Sequence, residues 1–196
     1  MSETPLGQRG FTLLEALISM ALLLTAMLAI TTMLLQNSRI NKQQQLVATT
    51  QSDARTSLSL IVNKLRTAGW DPTSAGIQAV QLDSNPTDGI DTIEIFADLD
   101  SDGDTDGLDE QILIRHLADR IEWRRSATAS FEILAAGISN DANGDGTTET
   151  MFVPDSTTDP TRIVVQITAQ SSDLDPVTRT PVQITMASEV ALRRRL

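Results

Sequence analysis

The chain has no cysteine, and aromatic residues make up only 3% of its 196 residues. Without cysteine, no disulfide bond is available to hold a domain together. The few aromatic side chains, two tryptophans and four phenylalanines, predict a small core with many surrounding loops. The single histidine, His116, lies next to Arg115 in a predicted strand, where a structural or surface role is expected rather than a catalytic one.

Glycine and proline are absent between Phe11 and Ala68. Because these two residues are the strongest helix breakers, the stretch predicts one continuous helix of about 55 residues. Gly69, which suits a left-handed cap, and Pro72 predict where this helix ends. Its second half is polar except for an apolar stripe on one helical face. The stripe consists of Leu58, Ile61, Val62 and Leu65.

Positively charged residues are scarce in this chain. It carries 26 acidic and 15 basic residues, which gives a formal net charge of -11. Residues 71–159 hold 20 acidic residues against four arginines, so this region alone has a net charge of -16. Such a charge repels nucleic acid and anionic lipid and attracts cations. We therefore predict no nucleic-acid partner.

One long apolar run lies near the N-terminus. It follows Gly10, begins at Phe11 and continues to Leu35, with Glu15 as its only charged residue. A carboxylate inside a membrane-length helix opposes insertion by roughly 3 kcal/mol, so such a residue usually has a functional partner. In the first helical turn the carboxylate also interacts favourably with the helix dipole.

The junction between Gly10 and Phe11, the position of Glu15 and the apolar run together resemble the class III signal of type IV prepilins and type II secretion pseudopilins. The resemblance implies that a prepilin peptidase cuts between Gly10 and Phe11 and methylates the new N-terminus. It also implies that Glu15 pairs with the terminal amine of a neighbouring subunit during assembly. The alternatives are a plain signal anchor with an isolated acid, or a cleaved secretory peptide, although no Ala-x-Ala site follows the run.

The same resemblance implies a division of the chain into four parts. These are a leader (1–10), a transmembrane half-helix (11–35), an amphipathic half-helix (36–69) and a periplasmic or extracellular β-rich head (70–196). The implied location is the inner membrane, as a single-pass protein with a periplasmic head, and afterwards a pilus or pseudopilus. The implied partners are prepilin peptidase and, through the N-terminal helix, other pilins or pseudopilins. The charges that flank the apolar run do not fix this orientation independently.

Two short segments resemble PilW-like minor pilins in particular. In residues 60–70 a basic residue, an Ala-Gly pair and an aromatic residue follow one another at the predicted helix end. Residues 190–193 are similar to the end of the same family, with Arg194 where an asparagine is usual. The absence of proline and glycine from the apolar half of the helix favours a minor subunit over a main filament subunit. J-type pseudopilins of type II secretion systems share much of this pattern and are the alternative.

Short segments of alternating apolar residues fill the rest of the chain, between clusters of Gly, Asp, Asn and Pro. They predict strands at 77–82, 92–97, 111–116, 120–125, 131–134, 162–169 and 181–187. Strands that follow one long helix predict an α+β fold. We expect a pilin-like arrangement, in which an antiparallel sheet packs on the amphipathic half of the helix.

Residues 98–109 have the spacing of a calcium-binding loop. Carboxylates occupy the first, third, fifth and ninth positions, glycine occupies the sixth, and aspartate stands at the twelfth, where EF-hands prefer glutamate. Predicted strands rather than helices flank the segment, so we expect a calcium loop outside the EF-hand fold. The alternative is a solvated acidic hairpin turn. The predicted ligands are Asp98, Asp100, Asp102, Asp104, Asp106 and Asp109.

A second segment, residues 141–149, repeats part of this pattern. Its candidate ligands are Asp141, Asn143, Asp145 and Glu149, whereas Phe152 at the twelfth position cannot ligate a metal. In a head without cysteine, calcium is expected to take the tethering role that disulfides have elsewhere.

Catalytic motifs are missing from the sequence. It has no Gly-x-Ser-x-Gly, His-Glu-x-x-His or P-loop pattern, and its carboxylates are spaced for a metal rather than for acid–base chemistry. We therefore predict a structural assembly protein and not an enzyme. Two hypotheses from other classes stay open: a membrane-anchored, calcium-dependent extracellular enzyme, and an adhesin or other ligand-binding module.

Overall fold

The computed structural model describes residues 12–82, 91–157 and 159–193. The chain forms two compact units, one ending at Gln43 and one beginning at Gln44. A single helix, α1, runs Leu13–Leu65. Eight strands follow it in the described residues: β1 (Val80–Leu82), β2 (Asp91–Phe96), β3 (Gln111–Leu117), β4 (Arg120–Arg124), β5 (Glu132–Ala136), β6 (Phe152–Pro154), β7 (Arg162–Leu174) and β8 (Pro181–Ala191).

The described part of the first unit is the N-terminal part of α1. Its large apolar side chains between Leu13 and Leu35 are all more than half exposed in the isolated chain, the least exposed being Ile18 at 53%. A helix that is apolar on every side is suited to lipid or to other helices as its surroundings. By length and composition, α1 is able to cross a membrane.

In the second unit, five strands form an antiparallel sheet in the order β1-β2-β3-β4-β5. Alternate residues of these strands are buried on one face. Ile93 of β2 pairs with Ile114 of β3, and Ile95 pairs with Ile112. All four side chains are at most 2% exposed. The core of the sheet is therefore aliphatic, as the shortage of aromatic residues predicts.

The amphipathic part of α1 contributes the predicted stripe to this core. Leu58, Ile61, Val62 and Leu65 are all buried, and Ile61 and Leu65 are completely so. They belong to the same hydrophobic cluster as Ile114 of β3. The prediction of an α+β fold, with one long N-terminal helix and antiparallel sheets after it, is confirmed.

The head contains two sheets, whereas the sequence predicted one. Strands β6, β7 and β8 form a second antiparallel sheet, in that order. The chain turns at Gly137, where φ is 72°, directly after β5. Beyond this turn a single bridge, Ile138↔Ala169, joins the segment after β5 to β7. The residues at and after this turn also exchange backbone hydrogen bonds with β7, from Gln170 to Gly137 and from Ser139 to Thr168.

The predicted strands all have counterparts in the structure, but β1 begins three residues later than predicted, and β7 and β8 end five and four residues later. β6 was not predicted, because three residues are too short to show an alternating pattern. α1 ends at Leu65, and residues 66–69 form turns. Gly69 does adopt the left-handed conformation, with φ of 70°, and its N–H donates to the Phe96 carbonyl at 2.9 Å.

The packing of α1 on the sheet gives a direct prediction. Ile61→Ala should lower the free energy of unfolding by about 2–5 kcal/mol, because it opens a cavity in a fully buried site. Leu60→Ala, one residue away and 43% exposed in the wild type, is the matched control and should cost much less. Chemical denaturation of the full chain in mild detergent, followed by tryptophan fluorescence, measures both. Equal losses would contradict the described packing.

Candidate functional site

The first candidate site is the start of α1, which Thr12 caps. The Thr12 hydroxyl accepts a hydrogen bond from the Glu15 N–H at 3.3 Å, and the Thr12 carbonyl accepts from the N–H groups of Glu15 and Ala16 at 3.1 Å. A threonine with glutamate three residues later has the spacing of a capping box. The Thr-x-x-Glu spacing therefore identifies Thr12 as the N-cap of α1. The signal motif alone does not indicate this role.

Glu15 lies in the first turn of α1, as predicted. Its charge is favoured there by the N-terminal end of the helix dipole. The side chain is exposed, and it forms no ion pair with another described residue. Its carboxylate is thus accessible to a cation from a partner. Gly10 and Phe11, the residues predicted for processing, lie outside the described residues.

The first acidic loop is organised around Asp98, which is fully buried two residues after β2. Its carboxylate accepts hydrogen bonds from the N–H groups of Ser101 at 2.6 Å and Gly103 at 3.2 Å, and from the Thr73 hydroxyl at 3.0 Å. Ser101 and Gly103 have φ values of 70° and 93°, so the chain curls around the carboxylate. The left-handed conformation at the sixth position explains the glycine there.

The aspartates of this loop are close together. Carboxylate oxygens of Asp98, Asp100 and Asp102 lie within 4.8 Å of one another, and so do those of Asp102, Asp104 and Asp106. Desolvation, together with repulsion from Asp102, raises the pKa of Asp100. Repulsion from Asp104 raises the pKa of Asp106. A bound cation would relieve this repulsion, since it supplies the opposite charge.

Asp109, predicted as the twelfth-position ligand, is engaged by basic side chains instead. Arg125 donates to its two carboxylate oxygens at 2.6 and 2.5 Å, and the Lys64 Nζ lies 3.6 Å away. The hydrogen bonds from Arg125, with the charge of Lys64, lower the pKa of Asp109. Both oxygens of Asp109 therefore already have cationic partners within the protein.

The next residue, Glu110, is the carboxylate that enters the loop. It is 2% exposed and accepts hydrogen bonds from the N–H groups of Leu99 at 2.7 Å and Gly107 at 2.8 Å. Gly107 is needed for this approach, because a Cβ there would lie 2.7 Å from the Glu110 Cδ. The twelve-residue pattern of a calcium loop ends at Asp109 and therefore does not include Glu110. The sequence signal for Glu110 is the pair of adjacent acidic residues, Asp109 and Glu110, at the end of the loop.

The second acidic loop has the same backbone geometry as the first. Asp141 accepts hydrogen bonds from the N–H groups of Gly144 at 2.7 Å and Gly146 at 2.9 Å. These two glycines, with φ of 74° and 84°, occupy the positions of Ser101 and Gly103 in the first loop. The repeat seen in the sequence is thus also a repeat of conformation.

The other predicted ligands of the second loop make local hydrogen bonds. The Asn143 side-chain oxygen accepts from the Asp145 N–H at 2.9 Å. Asp145 accepts from the hydroxyl and the N–H of Thr147, and these bonds lower the pKa of Asp145. Glu149 reaches back across the loop to accept from the Ala142 N–H at 2.6 Å. The loop therefore keeps its shape through bonds within its own residues.

A third turn of this kind, which the sequence did not predict, begins at Asp71. The carboxylate accepts from the Gly76 N–H at 2.8 Å, and Ser74 and Gly76 have φ of 59° and 85°. The Thr73 hydroxyl lies within hydrogen-bonding distance of both Asp71 and Asp98, at 3.2 and 3.0 Å. An Asp-x-x-x-x-Gly spacing is common to all three turns and is the signal that identifies them.

His116 is completely buried in β3. Its Nε2 lies 2.8 Å from the Ile138 carbonyl oxygen, across the end of the sheet. This position is inaccessible to a substrate and suits a structural role.

Comparison with known proteins adds one finding at the N-terminus. Residues 6–31 match the family model for the prokaryotic N-terminal methylation motif. No curated protein and no solved structure matches the chain. The motif is that of proteins processed by prepilin peptidase and assembled with other pilins, and it indicates a pilin-like structural protein. The apolar helix fits anchoring in the inner membrane before such assembly. The motif and the α+β architecture together support a type IV pilin-like protein of the prepilin type.

Proposed function

We propose that this protein is a minor pilin, which enters or primes a type IV pilus through its N-terminal helix after cleavage and N-methylation by prepilin peptidase. The observation that carries the proposal is the N-terminal methylation motif at residues 6–31. This motif overlaps the start of α1, an apolar helix that leads to a β-rich head. Exposed apolar side chains on every side of the helix favour packing among the helices of other subunits.

The uninterrupted helix supports a minor rather than a main subunit. Residues 13–35 contain no glycine or proline, and α1 runs through them without interruption. The helix thus has no built-in break in its apolar half. A J-type pseudopilin of a type II secretion system is the runner-up. Recovery of the chain in surface pili or in secretion pseudopili discriminates between them.

The first prediction concerns processing. Co-expression with a prepilin peptidase should shorten the chain by the ten residues before Phe11 and leave that residue N-methylated. Gly10→Val should block the cut, because the residue before the cut must be small. Gly7→Val, in the same leader, is the matched control and should be cut like the wild type. Intact mass spectrometry reads all three, and an unprocessed wild-type chain would overturn the proposal.

The second prediction concerns Glu15. Glu15→Ala should insert into the membrane at least as well as the wild type, because the variant lacks the carboxylate that opposes insertion by roughly 3 kcal/mol. Its incorporation into filaments should fall by about tenfold or more, because a buried amine of the neighbouring subunit then lacks its counter-charge. Ser19→Ala, one turn further along α1, is the control. Quantitative immunoblots of sheared filaments measure incorporation, and normal incorporation of the alanine variant would contradict the role.

We also propose that the first acidic loop binds calcium. The clustered carboxylates support this, since calcium takes six to eight oxygen ligands and neutralises their repulsion. The residues that would hold the ion are Asp98, Asp100, Asp102, Asp104 and Asp106, with Glu110 taking the place predicted for Asp109. Asp141, Asn143, Asp145 and Glu149 would form a second, less acidic site.

The third prediction tests calcium at the first loop. Extracellular modules bind calcium with dissociation constants of about 0.1–1 mM. A calcium concentration of 5 mM, roughly five times the largest of these constants, should therefore stabilise the fold by about 1–2 kcal/mol. The melting temperature should rise by a few degrees, and magnesium should do less. The double variant Asp100→Asn, Asp102→Asn should lose most of the shift. Asp109→Asn should keep it. If the melting temperature of the wild type is the same in chelator and in calcium, the calcium proposal is wrong and the loop is a solvated turn.

A further inference from the structure

The outer strands of the two sheets differ in how they are protected against pairing with another chain. β1 and β6 are three residues long. β5 has five residues, and its register with β4 shifts at a bulge between Ile121 and Glu122. Short and bulged edges are the usual protection of natural sheets. β8, the outer strand of the three-stranded sheet, is eleven residues long, and its register with β7 shifts only near its start, between Gln170 and Leu174 of β7.

β8 is also regular and nearly uncharged. Its pairing with β7 is unbroken from Arg162↔Ala191 to Gln170↔Gln183. The strand contains no lysine or arginine, and its only proline is its first residue. Its only charged residue, Glu189, is paired with Arg162 of β7 at 3.1 Å. Between Val182 and Ser188, β8 therefore has none of the charges and prolines that normally discourage strand addition.

The backbone of β8 has unused hydrogen-bonding capacity on its outer side. In an antiparallel sheet, alternate residues of an edge strand direct their N–H and C=O groups away from the sheet. At the start of β8, the Val182 N–H points towards β7 and donates to the Ser171 hydroxyl of that strand at 2.9 Å. Among the described residues, no hydrogen bond reaches the β8 backbone from any element other than β7. The outward N–H and C=O groups of Gln183, Thr185, Ala187 and Glu189 therefore have no partner in the described chain.

The side chains of β8 indicate what kind of strand fits beside it. Gln183, Thr185, Ala187 and Glu189 form an exposed, mainly polar face. On the other face Ile184 and Met186 are half-buried, and Met186 touches the hydrophobic core. An added strand with an apolar residue at every second position would cover this face and extend the core.

We propose that β8 is a docking edge, to which an extended, amphipathic strand of another subunit of the assembly adds through main-chain hydrogen bonds. This is the mode of recognition known as β-strand addition. A second copy of this chain is disfavoured as the partner, because two chains that each carry a net charge of -11 repel one another. The partner strand is therefore expected to come from a different, less acidic subunit. That identification of the partner rests on the proposed function.

Photo-crosslinking in living cells tests the docking edge. A photoreactive amino acid replaces Gln183 or Ala187, both on the exposed face, in the full chain, and mass spectrometry maps the partner peptides. Since the two positions are four residues apart on one strand, their adducts should lie about four residues apart on one partner segment. Ile133 on β5, which is 63% exposed, is the control position and should give no such pair.

A pair of proline variants separates docking from folding. Ala187→Pro and Ser188→Pro change neighbouring small residues whose N–H groups point in opposite directions. The Gln166 N–H donates to Met151, away from β8, so the Ala187 N–H opposite Gln166 points outward and the Ser188 N–H points to β7. Ser188→Pro should therefore lose stability. Ala187→Pro should keep its melting temperature within a few degrees and lose crosslinking from position 183 by about tenfold or more, since it loses a bond to the partner.

The outcomes distinguish this proposal from the pilin role. In-register adducts on a segment of another protein support the docking edge even if the wild-type chain never enters filaments, a result that overturns the pilin role alone. Adducts without a common register, adducts to residues 181–191 of a second copy, or no adducts overturn the docking edge. Unchanged crosslinking in both proline variants also overturns it.

Discussion

The burial of the apolar stripe of α1 against the five-stranded sheet is the interaction on which the rest of the head depends. Ile61 and Leu65 of the helix and Ile114 of β3 are fully buried in one aliphatic cluster. Without disulfides and with few aromatic side chains, this burial supplies the main driving force for folding. The strands that it fixes in place determine where the acidic loops begin and end.

The acidic loops show how a strongly negative segment folds beside such a core. Each loop is organised by one aspartate that accepts hydrogen bonds from the backbone N–H groups of its own turn. Asp109 then connects the end of the first loop to Arg125 and to Lys64 of α1. Lys64 and Arg125 also lie 5.7 Å from the ring of Trp123. Attraction to the few available cations, together with backbone hydrogen bonds, offsets part of the repulsion among the carboxylates.

Much of this structure is predictable from local patterns, because those patterns have local physical causes. The lack of helix breakers predicts α1, and the spacing of Leu58, Ile61 and Leu65 predicts its buried face. The separation of the strands into two sheets was not predictable, because it depends on pairing between residues far apart in the chain. The same holds for Asp109: its partner Arg125 comes from beyond the next two strands, and no spacing rule within the loop contains that information.

The shared geometry of the three aspartate turns has a consequence for which substitutions the head tolerates. In each turn the aspartate accepts a hydrogen bond from the N–H of the glycine five residues later, and none of the side chains between the two is in the hydrophobic core cluster. The turns at Asp71 and Asp98 are coupled through Thr73, whereas no described bond joins the turn at Asp141 to either of them. The head should therefore tolerate substitutions and insertions in the Asp141 turn at a lower cost in stability than in the turns at Asp71 and Asp98.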